Sequence, residues 1–195
     1  DLSLSSPVDF VGWSSQTSDR IDIEESELVF IGYGINAPEF GWNDYEGIDV
    51  KGKTVLMLVN DPGYSTSDTS LFNGRAMTIY GRWTYKFGEA ARQGAKAAII
   101  IHETGAAAYP WSVVVNSWSG SNYSLAGNEI AESDLQMQGW ITTAYAEKIF
   151  ESAGVDYKKM IVSAATRGFR PVSMNQKASV SFSNQAIKVM SDNVA

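Results

Sequence analysis

A single histidine, His102, is the only imidazole in the 195 residues, and there is no cysteine. Glu103 follows that histidine, which invites comparison with the His-Glu-x-x-His zinc pattern. The pattern needs a second histidine four residues on; position 106 is Ala, and His102 closes an apolar run that reads as a strand. A zinc site takes three or four protein ligands, so His102 is expected to make ordinary hydrogen bonds at a strand end. No metal or cofactor is assigned to this chain. An activated nucleophile with its base is equally hard to assemble from this stock. Asp61 and Asp68 bracket a polar stretch without the spacing of a calcium-binding loop, and they read as solvated turn residues.

The side chains suited to holding a ligand are Arg75, Arg82, Tyr109 and Trp111. Arg82 falls at an expected helix start, where the helix dipole favours carboxylates over cations. It therefore asks for another partner, either a nearby acid such as Asp44 or Glu89 or the carboxylate of a ligand. An arginine fork can grip a carboxylate through two hydrogen bonds but cannot shuttle protons at neutral pH. Tyr109 and Trp111 flank Pro110 in a long loop, where aromatic rings either bind a ligand or pin the loop to the body.

Composition narrows the partners. Hydrophobic residues make up 44% and charged residues 19% of the chain, which supplies a core and argues against disorder. The formal charge is −7, with no cluster of Lys and Arg to track phosphates, so nucleic acid and anionic membrane are not expected as partners. No apolar run is long enough to span a bilayer. The chain starts at Asp1 rather than Met, which reads as a removed leader or an excised fragment, and the absence of cysteine fits an exported bacterial protein.

Periodicity gives the order of elements. Strands are expected at Val8–Trp13, Ile21–Glu24 and Leu28–Ile35, the last interrupted by Gly32 and Gly34, which suggest a bulge or a close approach. Ala37–Gly47 reads as a loop and Lys51-Gly52-Lys53 as a turn. Thr54–Asn60 is continuously apolar and should be buried on both faces, with Asp61-Pro62-Gly63 stopping it. A helix over Arg82–Gln93 carries Trp83, Phe87, Ala90 and Ala91 on one face and ends at Gly94. Ala97–His102 is the next buried strand, so strand, helix and strand should form a parallel crossover. Leu135–Ile141 reads as a short strand. Thr142 and Asp156 are N-caps for two further helices, with Ala146, Ile149, Phe150 and Ala153 inward on the first. Ala178, Val180 and Phe182 alternate with serines in a half-exposed strand, and Ile187–Val194 follows as a last one. Two long loops, Tyr64–Gly74 and Gly105–Gly127, are expected near each other or near Arg82.

Several strings resemble the protease-associated (PA) domain of secreted di-zinc aminopeptidases, relatives of glutamate carboxypeptidase and the transferrin receptor. They are Phe30-Ile-Gly-Tyr-Gly-Ile, Asp44-Tyr-Glu-Gly-Ile-Asp-Val-Lys-Gly-Lys-Thr-Val, Phe72-Asn-Gly-Arg-Ala-Met-Thr, Tyr80-Gly-Arg-Trp-Thr-Tyr-Lys, Glu89-Ala-Ala-Arg-Gln-Gly-Ala-Lys-Ala-Ala-Ile-Ile-Ile and Tyr109-Pro-Trp-Ser-Val-Val. The resemblance covers roughly Leu28 to Val194. It implies an α/β fold, a twisted and partly closed sheet flanked by helices, with residues 1–27 as strands leading into a PA domain over 28–195. It also implies a non-catalytic module that covers a peptidase cleft and shapes access of a peptide substrate, with Arg75, Arg82, Tyr109 and Trp111 as contact candidates. Zinc would sit in a peptidase domain of the same parent, of which this chain has no His-x-Asp motif, and Asn193-Val194 would lead back into it. Two rival readings stand beside this one. Six Trp and nine Tyr suit a stand-alone peptide- or carbohydrate-binding module, and a purely architectural docking or dimerisation domain needs no site at all.

Overall fold

Alternating apolar residues build the two N-terminal strands, β1 (Phe10–Trp13) and β2 (Arg20–Phe30). The structure, a computed structural model, describes residues 2–122, 135–185 and 187. β2 passes residue 27 without a break, so the N-terminal strands belong to the same sheet as the later strands of the chain. The strand expected over Leu28–Ile35 stops at Phe30. Gly32 and Gly34, at φ 60° and 66°, take the left-handed conformation that glycine reaches without a Cβ clash, and they turn the chain out of the sheet instead of bulging it. The register shifts in β2 come earlier, between Ile23 and Ser26 and between Glu27 and Val29. The expected Ala37–Gly47 loop holds a small hairpin, β3 (Asn36–Ala37) and β4 (Trp42–Asn43), around a single 3-10 turn.

β5 (Thr54–Leu58) is buried at every position, as its unbroken apolar run requires. A short helix, α1 (Pro62–Thr66), opens the following loop, and α2 (Trp83–Arg92) leads to β6 (Ala97–His102). The described part of Gly105–Gly127, up to residue 122, is not all loop. It contains α3 (Thr104–Ala107), capped by the Glu103 carboxylate, which accepts from the Gly105 and Ala106 amides, and α4 (Trp111–Trp118), which follows Pro110. Proline's fixed φ pre-sets a helix entry that apolar periodicity does not reveal. β7 (Met137–Thr142), α5 (Thr143–Ser152), α6 (Tyr157–Ala164) and β8 (Val172–Ser183) complete the order. Thr142 and Asp156 cap α5 and α6 as expected, accepting from the Tyr145 and Lys159 amides at 3.3 and 3.0 Å. Apart from exposed Ile187, the strand expected over Ile187–Val194 lies outside the described residues, as does the Asn193-Val194 junction.

The sheet order is β1-β7-β6-β5-β2-β8. β2, β5, β6 and β7 are parallel, and β1 and β8 close the edges antiparallel. The expected crossover is therefore present: β5 and β6 pair in parallel with α2 between them in the chain. Alternate residues of β5 face opposite ways. Leu56 and Leu58 join α5 and α6 in one core, with Phe30, Phe150 and Tyr157. Val55, Met57 and Val59 join α2 and α4 in the other, with Phe87, Ala90 and Val114. The result is an α/β fold, a mixed, curled and partly open sheet flanked by helices, with PA-domain-like architecture.

Candidate functional site at the carboxyl edge of the parallel strands

Parallel strands send their following loops out of the same end of the sheet, where α/β folds gather their ligands. The segments after β2, β5 and β6 all leave from this edge. Those after β5 and β6 touch, as expected of the two long loops. Asn60 Nδ2 donates to the Ala106 carbonyl at 2.8 Å, and the Tyr64 hydroxyl packs on Gly105, where a Cβ would lie 3.0 Å from it. The segment before α2 is equally close-packed. A Cβ on Gly81 would stand 2.7 Å from Met77 Cγ and 3.2 Å from the Asn60 backbone.

Beneath these loops lies a group of buried ions. Asp44 on the β4 side is 1% exposed, Lys86 of α2 0% and Asp61 at the end of β5 0%. Asp44 accepts three hydrogen bonds, from the Tyr33 amide at 3.1 Å, the Ile35 amide at 3.0 Å and the Trp42 indole at 2.8 Å. It thereby fixes the chain that leaves β2 against the β3–β4 hairpin. Lys86 Nζ donates to the Tyr33 carbonyl and lies over the Tyr33 ring at 5.6 Å. Asp61 Oδ2 accepts from the Thr78 amide at 2.9 Å and the Thr78 hydroxyl at 2.8 Å, while Oδ1 is buried without a well-placed donor. Burial pushes the Asp44 carboxyl up, opposed by its three donors and the Lys86 charge. Burial likewise raises Asp61, and it lowers Lys86 against the attraction of both carboxylates.

Sequence periodicity overlooked this group, although one signal was available. Lys86 is three residues from Trp83 and four from Ala90, within the helical stripe that faces the core. Apart from Trp42, two residues from Asp44, the donors that hold Asp44 and Asp61 come from 9 to 17 residues away.

Arg75 and Arg82 both lie on the exposed rim. Arg75 Nε donates to Ser67 Oγ at 3.0 Å, and its guanidinium sits 5.8 Å from the Tyr64 ring centroid. Arg82 is the N-cap residue of α2, and its side chain has no partner among the described residues. Neither acid suggested for it is available: Asp44 is enclosed by its own donors, and Glu89 binds Arg92 at 2.7 Å and Gln93 at 2.8 Å. Between the two arginines, Ile79 is 66% and Met77 38% exposed.

Tyr109 and Trp111 are half-buried and pack around His102, with ring centroids at 5.7 and 5.6 Å. The Trp111 indole donates to the Pro7 carbonyl at 3.1 Å. These contacts tie the start of α4 to the N-terminal segment. His102 makes the ordinary contact expected of it, Nε2 to the Tyr109 carbonyl at 3.0 Å, which assigns the proton to Nε2. Among the described residues no three His, Cys, Asp or Glu side chains are grouped to hold a metal ion. Asp61 and Asp68 do not meet at a common point. The first holds Thr78, and the second, exposed, accepts from Ser70.

No known family profile matches the chain, and no curated protein matches it. Among solved structures, an aminopeptidase from Aneurinibacillus sp. strain AM-1 aligns with it at 21% identity and a TM-score of 0.36, covering 75% of this chain and 27% of that one. The chain thus spans about a quarter of that protein's length.

Proposed function

We propose that the chain is the non-catalytic PA domain of an exported zinc aminopeptidase, extracellular or periplasmic, where it covers the peptidase cleft and shapes the access of peptide substrates. The quoted strings and the PA-domain-like architecture support the family reading. The observation that carries the role is the rim between Arg75 and Arg82. In a chain of net charge −7, it sets an unpaired guanidinium and two exposed apolar side chains at the loop-built edge of the sheet. Such a surface complements the carboxylate and side chains of a peptide. Chemistry belongs elsewhere in this reading: zinc would be held by the peptidase domain, and the described residues offer no ligand cluster for it.

A carbohydrate-binding module is less well supported, because stacking on sugars calls for open aromatic faces. Trp13, Trp42 and Trp140 are buried and Trp83, Trp111 and Trp118 half-buried. Trp118 spends its face on Trp13, stacked at 3.8 Å.

The test is kinetic. In the intact parent, Arg82→Ala should raise KM about five- to thirtyfold, the value of one partly solvated charged contact, and leave kcat unchanged. The 195-residue chain alone should hydrolyse no aminoacyl substrate with zinc added. An unchanged KM in the variant, or turnover by the chain alone, overturns the proposal.

A further inference from the structure

The rim that carries Arg75 and Arg82 is a loop, and it needs something rigid to hold it. Its buried hydrogen-bond anchor is Asp61. Thr78 stands midway between the two arginines, and both its amide and its hydroxyl donate to Asp61 Oδ2. Beside it, Tyr80 packs its ring edge-on against Phe40 and Phe72 and donates its hydroxyl to Glu39 of the hairpin turn, and Arg75 donates to Ser67. Asp61 is itself fixed at the end of β5, its amide donating to Asn60 Oδ1 at 2.8 Å, while Asn60 Nδ2 holds Ala106.

A carboxylate enclosed this fully costs several kcal/mol in desolvation unless an opposite charge faces it. No ion pair reaches Asp61 among the described residues, so its hydrogen bonds from Thr78 must offset that cost. Lys86 is also enclosed, and burial disfavours its charged form. Its only hydrogen bond is to the neutral Tyr33 carbonyl. Glu89, the other acid of α2 near this core, is engaged by Arg92, Gln93 and Asn36. Asp44 has three donors of its own, and Asp61 has the amide and hydroxyl of Thr78. Lys86 also lies one turn below Arg82 on the same helix, its amide bonded to the Arg82 carbonyl at 3.2 Å.

We propose that Asp61 and Thr78 form a buried positioning relay that fixes the Arg75–Arg82 rim in the geometry used to receive a peptide. Neither touches the peptide; both act through the arginines. The proposal deepens the reading of this edge as a substrate rim, and its consequence for peptides rests on that reading.

The rim provides its own assay, because trypsin cleaves after Arg75 and Arg82. In the 195-residue chain under native conditions, cleavage at these two sites is followed by mass spectrometry, with global stability measured in parallel. Thr78→Val, which keeps the backbone donor and loses the hydroxyl, and Asp61→Asn, which keeps an acceptor and loses the charge, should each speed rim cleavage about tenfold. Thr78→Ser should restore the slow rate. Unchanged rim cleavage in Thr78→Val and Asp61→Asn, or cleavage that rises equally at every Lys and Arg of the chain, overturns the relay. In the intact parent, Thr78→Val should raise KM and leave kcat alone, with Thr78→Ser restoring KM. Faster rim cleavage with an unchanged KM would uphold the anchor and sink the substrate reading of the rim.

Discussion

Phe87→Ala tests whether α2 is docked as described. Phe87 is fully buried, edge-on to Trp13 at 5.5 Å and 6.2 Å from Trp83. Losing the transfer free energy of a buried ring costs about 1.5–3 kcal/mol. Each unfilled Å³ adds about 24 cal/mol, so a hole of roughly 100 Å³ adds about 2 kcal/mol. The lost edge-to-face contact with Trp13 contributes a further ~0.5–1.5 kcal/mol. Partial collapse of the neighbours trims the sum to about 3–5 kcal/mol. Urea denaturation followed by tryptophan fluorescence reads this directly, since Trp13 and Trp83 report on the altered site. Thermal unfolding should move down by about 6–20 °C, at roughly 2–4 °C per kcal/mol for a domain of this size. Val162→Ala on α6, a position 70% exposed, is the control and should stay within about 0.5 kcal/mol of the parent chain. A loss below about 1 kcal/mol at Phe87 would refute the packing of α2 against β5 and β6.

Two further positions test other parts of the chain. Gly34→Ala forces a Cβ to within 2.4 Å of the buried Met57 sulfur at a residue with φ 66°, so strain and overpacking together should cost about 2–5 kcal/mol, measured by the same denaturation. His102 titrates below the usual histidine range, chiefly because burial disfavours its charged form. The stability it contributes is complete above about pH 6.5, the unfolded value, and is lost as pH falls toward the folded value, because the unfolded chain takes up that proton first. Denaturation curves from about pH 7 to about pH 5 should therefore fall more steeply for the parent chain than for His102→Asn, and equal slopes would show that His102 does not link stability to pH.

Much of this architecture could be read from local signals, because the forces behind it are local. Short unbroken apolar runs at Thr54–Leu58 and Ala97–His102, rich in β-branched residues and bounded by turn signals, read as strands covered on both faces, and the structure covers them so. Thr142 and Asp156 cap their helices because a short oxygen-bearing side chain before a helix start bonds the amides just beyond it. The single histidine and the missing thiols already set limits on the chemistry any site could hold. Where local signals failed, a longer-range cause intervened. Gly32 and Gly34 suggested a bulge within a strand, but the chain had to leave the sheet there to meet Asp44. The helix after Pro110 was hidden because only Val114 of its residues is buried, too few to print a period. Two arginines were legible as exposed candidates, but not what holds the loop between them. Lys86, Asp44 and Asp61 come from a helix, a hairpin and a strand end, and no local pattern marks three charged residues as buried in one core. Their burial is a property of the assembled sheet. The sequence by itself determined the buried strands and the capped helices, whereas only the tertiary structure decided which charged side chains are enclosed and which exposed arginine is left without a partner among the described residues.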